Sequence, residues 1–561
     1  MSDLLTAIAV LFIAAGPFLL VANRISMPTA PALIGAGIVA GLMIDEGLVL
    51  EIARLGIAFL VFSFAVHIQT TDAEMVVAGS EVIAFVQLIV IGALGVGFGL
   101  AIGIPSNQAI FLGVAAALSS SIVGSTLFLP GNLELANDRL SESIHSVQDF
   151  SALFLLLVLG AGVFALDPIA NNIGYGVMLV FLAIAINRYV YDVVGRFVGS
   201  GESMLIGTIA LLLIFVGLAA WAELSIVVGA FAAGIAVRDD PIQYAPVLNG
   251  LDSITDFFAA IFFLTVGALL TIPTGEVFTM SVALVVLAGV VKPVLTIGLL
   301  MYQGYERRTA TLTAFNLDQI GEFALIIAIE AMILGILFQS VFDAIILAAA
   351  ITLVTSSFTR YYEERIYQRL ADQGFLGDHR RITERYSDVP ATLTDHIVII
   401  GYGRHGKRLK SVCERYGQSY VVIENDPGSY DELSRDCEAF VFGDIIEADT
   451  LEHANLRRAR LVVSTPDSTM VNRRLMDFTD ELDVIIRTKH LREAQQYLEE
   501  GAYYVSVTDL LAADRLAEHF EALFEREVAA QLITEEVYGE LLTDGQPRRR
   551  QPARLVRDTD R

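Results

Sequence analysis

Asp149 stands in the stretch Ile144-His145-Ser146-Val147-Gln148-Asp149-Phe150-Ser151, which opens an apolar run continuing to about Leu166. Hydrocarbon cannot hydrate a charge, so an acid there is a candidate for function by default. A carboxylate in a dry cavity can hold a proton or a desolvated cation, but not comfortably both, and that mutual exclusion is the physical basis of exchange. Gln148 beside it can offer a carbonyl oxygen without a second charge. The competing reading is a buried Asp that serves only as a hydrogen-bonding strut.

Three further ionisable groups fall in apolar surroundings. Lys292, in Gly289-Val290-Val291-Lys292-Pro293, is the only lysine of the hydrophobic region; the others are Lys407, Lys410 and Lys489. At such depth it needs an anion or must shed its proton, and Asp149 and Glu322 are the expected partners. A purely structural ion pair is the alternative. Glu322, in Gly321-Glu322-Phe323, and Asp318 can line an ion path or stabilise a break in their helix. His145 lies one helical turn before Asp149, where a solvated histidine at the helix mouth is the plainer reading and a pH sensor the sharper one.

A different chemistry is written near residue 400. Ile397-Val398-Ile399-Ile400 reads as a buried parallel strand, followed by Gly401-Tyr402-Gly403-Arg404-His405-Gly406 and a helix through Arg415. Glycines at this spacing permit a tight turn and bring phosphate against helix N-terminal amides, while Glu424, at the end of the next strand, can accept from ribose hydroxyls. Arg404 adds a phosphate partner. Glu424 favours an unphosphorylated 2′-hydroxyl, since a phosphate there would meet a like charge.

These sites need different scaffolds. The 561 residues exceed one domain, and the 55% hydrophobic content is concentrated in the first two thirds. Roughly 20 apolar residues cross a bilayer. On that basis about thirteen spans are expected, near 4–22, 30–44, 48–68, 81–103, 107–129, 144–166, 172–191, 203–221, 224–237, 253–272, 277–301, 309–335 and 338–359. With the N-terminus outside, Arg24, Arg139, Arg196, Arg238, Arg307-Arg308 and Arg360 fall inside, Arg54 being the exception. An odd count then delivers the C-terminal region to the cytoplasm.

Spans five and twelve correspond if 1–6 and 8–13 are two halves. The first carries Gly113, Ser119-Ser120-Ser121 and Gly124-Ser125-Thr126; the second carries Asn316, Asp318-Gln319, Gly321 and Glu322. Polar, glycine-interrupted segments at matching places point to broken helices crossing at a midplane site. Close packing through small residues is the plainer alternative.

From Tyr361 to about Thr394 the composition becomes that of a charged, helical linker breaking near Gly374 and Gly377. Beyond it, strands at 420–424, 439–442, 461–464 and 484–487, with a short sixth at 503–505, alternate with helices and predict a doubly wound parallel sheet. The expected division is a transmembrane domain at 1–360, a linker at 361–394, a Rossmann-like domain at 395–525, and a C-terminal helix with a disordered basic tail at 526–561. A net charge of −26 disfavours nucleic acid as a partner. Cys413 and Cys437 supply no disulfide framework, and the start of the chain carries no basic region of a cleaved signal.

With these residues in view, the chain resembles the monovalent cation:proton antiporter-2 family, in particular its potassium-efflux (Kef-type) branch. The carriers are Ser119-Ser120, Gln148-Asp149, Lys292, Gln319-Ile320-Gly321-Glu322-Phe323 and a TrkA-N-type nucleotide domain opening at Gly401. Gly443-Asp444 and Ser464-Thr465-Pro466-Asp467 also look like that domain. The resemblance covers about residues 4 to 520. It implies a homodimer in which a core domain with crossed helices moves against a dimerisation domain in elevator-like alternating access. It also implies that an adenine nucleotide, NAD(H) or AMP, binds the cytoplasmic domain and regulates transport without redox chemistry. Ile320 stands where a second glycine is common in the efflux branch. Glutathione gating is not carried over, because its contact residues have no match here.

The expectation is therefore a plasma-membrane K+ or Na+/proton antiporter, with Asp149 as the shared site and Gln148, Ser119, Ser120, Lys292, Glu322 and Asp318 around it. Gly401, Gly403, Arg404, His405, Gly406, Glu424, Asp444 and Thr465 are expected to hold the nucleotide. No metal is expected beyond the transported cation. A single acid beside Gln148 suggests one cation for one proton. A nucleotide-gated channel is the rival class. An NAD-dependent oxidoreductase is disfavoured because His405, His453, His490 and His519 form no catalytic pattern.

Overall fold

A computed structural model divides the chain into two compact units, Met1–His379 and Arg380–Arg561. It describes residues 2–524 except 25–27, 68–79, 120–135, 160–165, 192, 194–201, 238–244, 304, 306, 374–386, 391, 427–428, 447 and 480.

The first unit is all helix. One set of helices comprises α1 (Ser2–Arg24), α2 (Thr29–Gly41), α3 (Glu46–His67), α7 (Leu166–Ala185), α8 (Glu202–Trp221), α9 (Ile226–Ala236) and α10 (Ala245–Ala268). A second set comprises α4 (Ser80–Ala101), α5 (Ser106–Ala117), α6 (Ala136–Leu159), α11 (Gly275–Val286), α12 (Lys292–Tyr302), α13 (Arg307–Asn316), α14 (Glu322–Ile333) and α15 (Gln339–Tyr361). Among the described residues, eight helical stretches are long and apolar enough to cross a bilayer, and 29–41, 226–236 and 254–268 are shorter apolar helices. The two remaining expected spans fall on α5, beyond which residues 120–129 lie outside the described residues, and on the α13–α14 pair, which is interrupted between Asn316 and Glu322.

Small residues set the closest helix contact. A Cβ added to Gly37 would lie 2.1 Å from the Leu264 carbonyl oxygen, and one added to Gly267 would lie 2.0 Å from that of Ile34. The backbones of α2 and α10 therefore touch, as small residues allow where water supplies no driving force.

Span six begins earlier than its apolar run predicts. α6 starts at Ala136, because the polar first turns are satisfied inside the bundle rather than by water. Ser141 Oγ donates to the Asp138 carbonyl at 2.9 Å, and Ser80 and Ser143 share a hydroxyl contact across helices. Asp149 lies near the middle of this helix, as its apolar surroundings led one to expect.

A π-helical turn at Leu287–Val291 joins α11 to α12. Its cause is Pro293, which has no N–H to give the Gly289 carbonyl and whose ring crowds that turn. The widened turn ends on Lys292. The linker begins as α16 (Glu363–Asp372); the expected break near Gly374 and Gly377 lies outside the described residues.

The second unit carries a six-stranded, wholly parallel sheet in the order β3-β2-β1-β4-β5-β6. The strands are β1 (Ile397–Ile400), β2 (Tyr420–Glu424), β3 (Phe440–Phe442), β4 (Leu461–Ser464), β5 (Asp483–Thr488) and β6 (Tyr504–Val507). This is the doubly wound order expected from the alternation, with its switch between β1 and β4. Val398, Val421, Val462 and Val484 are fully buried, which a parallel sheet covered on both faces requires. A helix at Thr508–Phe524 follows, and the tail from 525 lies outside the described residues.

Candidate functional site

Two interrupted segments meet in the membrane unit. α5 ends at Ala117, after which Leu118 is extended; α13 ends at Asn316 and α14 begins at Glu322, with Gly321 extended before it. The two breaks bond to each other. The Gly321 amide donates to the Leu118 carbonyl at 3.1 Å, and Ser119 Oγ donates to the Leu317 carbonyl at 3.0 Å. The freed backbone groups of a break must find partners where no water reaches, and here each break satisfies the other. The polar runs at 119–121 and 316–322 are the signal that revealed this meeting; Ser120 itself lies outside the described residues.

Lys292 bridges the breaks. Its ammonium donates to Ser119 Oγ at 3.0 Å and to the Gln319 carbonyl at 2.9 Å. The expected bond to Asp149 or Glu322 is not among its hydrogen bonds. The physical reason is that two unwound carbonyl-rich segments offer a buried ammonium nearer acceptors than a carboxylate on another helix.

Asp149 lies on α6 with 1% of its surface exposed. Gln148 is fully buried, and its carbonyl oxygen accepts from the Ser119 amide at 2.8 Å while its Nε2 donates to Gln87 Oε1 at 3.1 Å. Gln148 thus spends one lone pair holding the break beside Asp149, rather than standing free for a cation. Asp318 and Glu322 are both buried. His145 is buried too, which corrects the reading of a solvated histidine at the helix mouth; the early start of α6 draws it inside.

The polar contacts continue to one end of the unit. Gln319 Oε1 accepts from Ser356 Oγ, its Nε2 donates to the Asn316 carbonyl at 3.4 Å, and Thr352 Oγ1 accepts from the Ile320 amide at 3.2 Å. Asn316 then donates to Asp138 Oδ1 at 3.3 Å and accepts from Arg360 Nε at 3.0 Å. At the same end Arg308 donates from Nε and Nη2 to Glu364 Oε2 at 3.1 and 3.0 Å, joining α13 to α16. Gln87, Thr352, Ser356 and Asp138 were not singled out by sequence. The lone Gln87 in an otherwise apolar α4 was the available signal.

The glycine fingerprint has the expected geometry in the second unit. Gly401 has φ of +87°, a Cβ on Gly406 would lie 1.9 Å from the Gly401 carbonyl oxygen, and a Cβ on Gly403 would meet nothing within 4 Å. The first two therefore shape the turn, and the third leaves open space at the N-terminus of the helix Arg404–Arg415, where unpaired amides attract phosphate. Glu424 accepts from the amides of Tyr402 at 2.7 Å and of Asn425 and Asp426 at 2.8 Å each. Burial holds its carboxyl above the ordinary range, opposed by those amides. Arg404 and His405 are exposed on the first turn. Asp444 is buried and its Oδ1 accepts from the Ile446 amide at 3.0 Å, closing a turn after β3. Thr465 sits between β1 and β4 with its hydroxyl donating to the Ile400 carbonyl at 2.7 Å, so it holds the switch point rather than presenting a free hydroxyl. The residues present fit a nucleotide.

Comparison with known proteins agrees with both halves. The family model described as "Sodium/hydrogen exchanger, transmembrane" matches residues 8–362, and that of the TrkA-N domain matches 397–508. A protein of Alkalimonas amylolytica named for K(+) efflux antiport (KefB) is 25% identical over 523 residues, covering 89% of this chain and 78% of its own length. The glutathione-regulated potassium-efflux system protein KefC of Enterobacter sp. (strain 638) is 24% identical over 486 residues, covering 82% of this chain and 75% of its own. Among solved structures, the sodium proton antiporter MjNhaP1 of Methanocaldococcus jannaschii aligns with a TM-score of 0.47 and 17% identity, over 67% of this chain and all of its own. The exchanger match spans more than half of the chain, and the chain belongs to the sodium/hydrogen exchanger family of membrane antiporters, secondary transporters rather than enzymes, with a TrkA-N domain attached.

Proposed function

We propose that the protein exchanges a monovalent cation, K+ in preference to Na+, for a proton, and that both compete for Asp149. The observation that carries this reading is the placement of a 1%-exposed carboxylate beside the Gln148 amide that holds one of two crossed breaks. Unwound carbonyls and half-helix ends there can replace the hydration shell of a monovalent ion. Potassium is favoured because the relatives named above are named for K(+) efflux.

The division into two helix sets supports a reading of alternating access. The set containing the breaks slides as a body against the set built on the α2–α10 contact, and Asp149 travels with it. Loading by a proton or by a cation neutralises the carboxylate, which lowers the cost of carrying it past apolar walls. One acid of this kind predicts one cation per proton. The protein works as a homodimer in the plasma membrane with its N-terminus outside, as the arginine distribution suggests.

Gly401, Gly403, Arg404, Gly406 and Glu424 would hold an adenine nucleotide, NAD(H) or AMP, which when bound supplies differential affinity for one transport state. Reconstitution into proteoliposomes tests the central claim. Asp149→Asn is expected to abolish cation-driven proton movement, and undiminished exchange by that variant would sink the assignment.

A further inference from the structure

Among the described residues, the polar contacts set out above lead from the breaks beside Asp149 to one end of the membrane unit, the end marked by Arg308 and Arg360. An exchanger needs a route to the other face as well. At that other end α14 finishes, α15 begins and α5 starts, and two of the polar side chains there are occupied in holding loops. Gln108 donates to the Ile336 carbonyl at 2.7 Å and accepts from the Phe338 amide at 2.8 Å. Asp343 accepts from the Thr271 amide and hydroxyl and from Gln339 Nε2 at 2.8 Å.

Glu330 is different. It lies on α14 eight residues beyond Glu322, about 12 Å further along the helix axis, and only 6% of it is exposed. Among the described residues it makes no side-chain hydrogen bond or ion pair. The rest of α14 beyond Glu322 is apolar, Phe323-Ala324-Leu325-Ile326-Ile327-Ala328-Ile329 and then Ala331-Met332-Ile333. Its oxygens are not among the enclosed, unbonded polar atoms, so they reach the surface at the last turn of α14, where a carboxylate in apolar surroundings can meet an arriving cation.

Its helix is also in the right place. α14 packs on α5, α6 and α15 of the set that carries the breaks, and on α3 of the other set, where Phe64 meets Phe323 edge-on at 5.1 Å. It therefore lines the boundary along which the two sets move. Among the described side chains, the ionisable groups on its neighbours leave Glu330 alone at this level. α5 has none; Asp343 of α15 is already bonded, and Arg360 is at that helix's far end. Glu46, Glu51 and Arg54 of α3 are exposed, and Asp138, Glu142, His145 and Asp149 of α6 lie toward or at the breaks; the side chains of His67 and Arg139 lie outside the described residues.

Resting on the exchanger reading above, we propose that Glu330 is a second cation-contacting carboxylate, a stepping stone between the Asp149 site and the face at which α14 meets α15. It attracts the dehydrating cation on that side and passes it to Asp149 without itself setting the stoichiometry.

Sided proteoliposomes containing the full chain test this. With Glu330→Gln, the KM for K+ supplied from the face near the α14–α15 loop is expected to rise about tenfold, with the KM from the opposite face unchanged. Glu330→Asp should recover most of the loss. Equal KM on both faces in Glu330→Gln, matching the unmodified protein, overturns the proposal. So does a loss from both faces alike, or one accompanied by a lowered Tm in both variants, since either marks a structural role. Asp149→Asn run in parallel separates the two claims: if it still exchanges, the exchanger site is misassigned, whereas a silent Asp149→Asn beside an unaffected Glu330→Gln removes only the role of Glu330.

Discussion

Lys292 donates its ammonium to the hydroxyl of Ser119, 173 residues away in sequence, at 3.0 Å. With its second bond to the Gln319 carbonyl, it fastens one broken helix to the other. Lys292→Met preserves length and apolar contact while removing both donors. It is expected to destabilise the membrane unit by about 2 kcal/mol, because two buried hydrogen bonds, to Ser119 Oγ and to the Gln319 carbonyl, are lost together. Thermal unfolding of the detergent-solubilised protein checks this, and an unchanged Tm would contradict a fastening role.

Gln148 offers a sharper test of stoichiometry. Gln148→Glu keeps an acceptor for the Ser119 amide but places a second carboxylate next to Asp149. Exchange by the variant is expected to become sensitive to membrane voltage, whereas the unmodified protein should be indifferent to it. Flux measured at equal K+ and pH on both sides under an imposed thiocyanate diffusion potential separates the two behaviours.

In the second unit, Gly406→Ala forces a methyl against the Gly401 carbonyl oxygen, where 1.9 Å is available. The turn must open, at a cost of about 1–3 kcal/mol, and nucleotide affinity should fall. Calorimetric titration of the full chain with NADH and AMP reads the affinity, and transport without nucleotide should remain near its starting rate.

Glu363 makes a pH prediction. Burial pushes its carboxyl up to about 7 from 4.5, against the pull of Arg360. Between those values the folded protein holds more protons than the unfolded chain, so the contribution of Glu363 is fully present below about 4.5 and is lost as pH rises through about 7. Hydrogen exchange in α16 should therefore quicken across that window. Glu363→Gln should flatten the pH dependence, and an identical profile in the variant would argue against Glu363 as its source.

The features legible in the sequence are those whose cause is local. Gly401, Gly403 and Gly406 announce a phosphate turn because a strand precedes them and Glu424 follows at the right distance, and the six strands announce themselves by short apolar runs. Asp149 and Lys292 stand out for being charged in apolar surroundings. What each of them touches was not legible. The partners of Lys292 come from segments 173 and 27 residues distant, and unwound backbone outcompetes the carboxylates that residue type alone suggests. The same limit explains His145 and the first turns of α6, where polar side chains are satisfied by Asn316 and Ser80 across helices rather than by water. Thr465 looks like a ligand contact by position, but its hydroxyl is committed to Ile400. Glu330 went unremarked although its signal, one acid in the apolar run 323–333, was of the same kind as that of Asp149.

The clasp of Arg308 to Glu364 has a mechanical consequence. α16 continues the chain directly beyond α15, yet its grip is on α13, the helix that ends at the break. It is thus held at two points, by the chain to α15 and by this pair to α13, so it cannot shift without pulling on the half-helix that leads to Asp318 and Gln319.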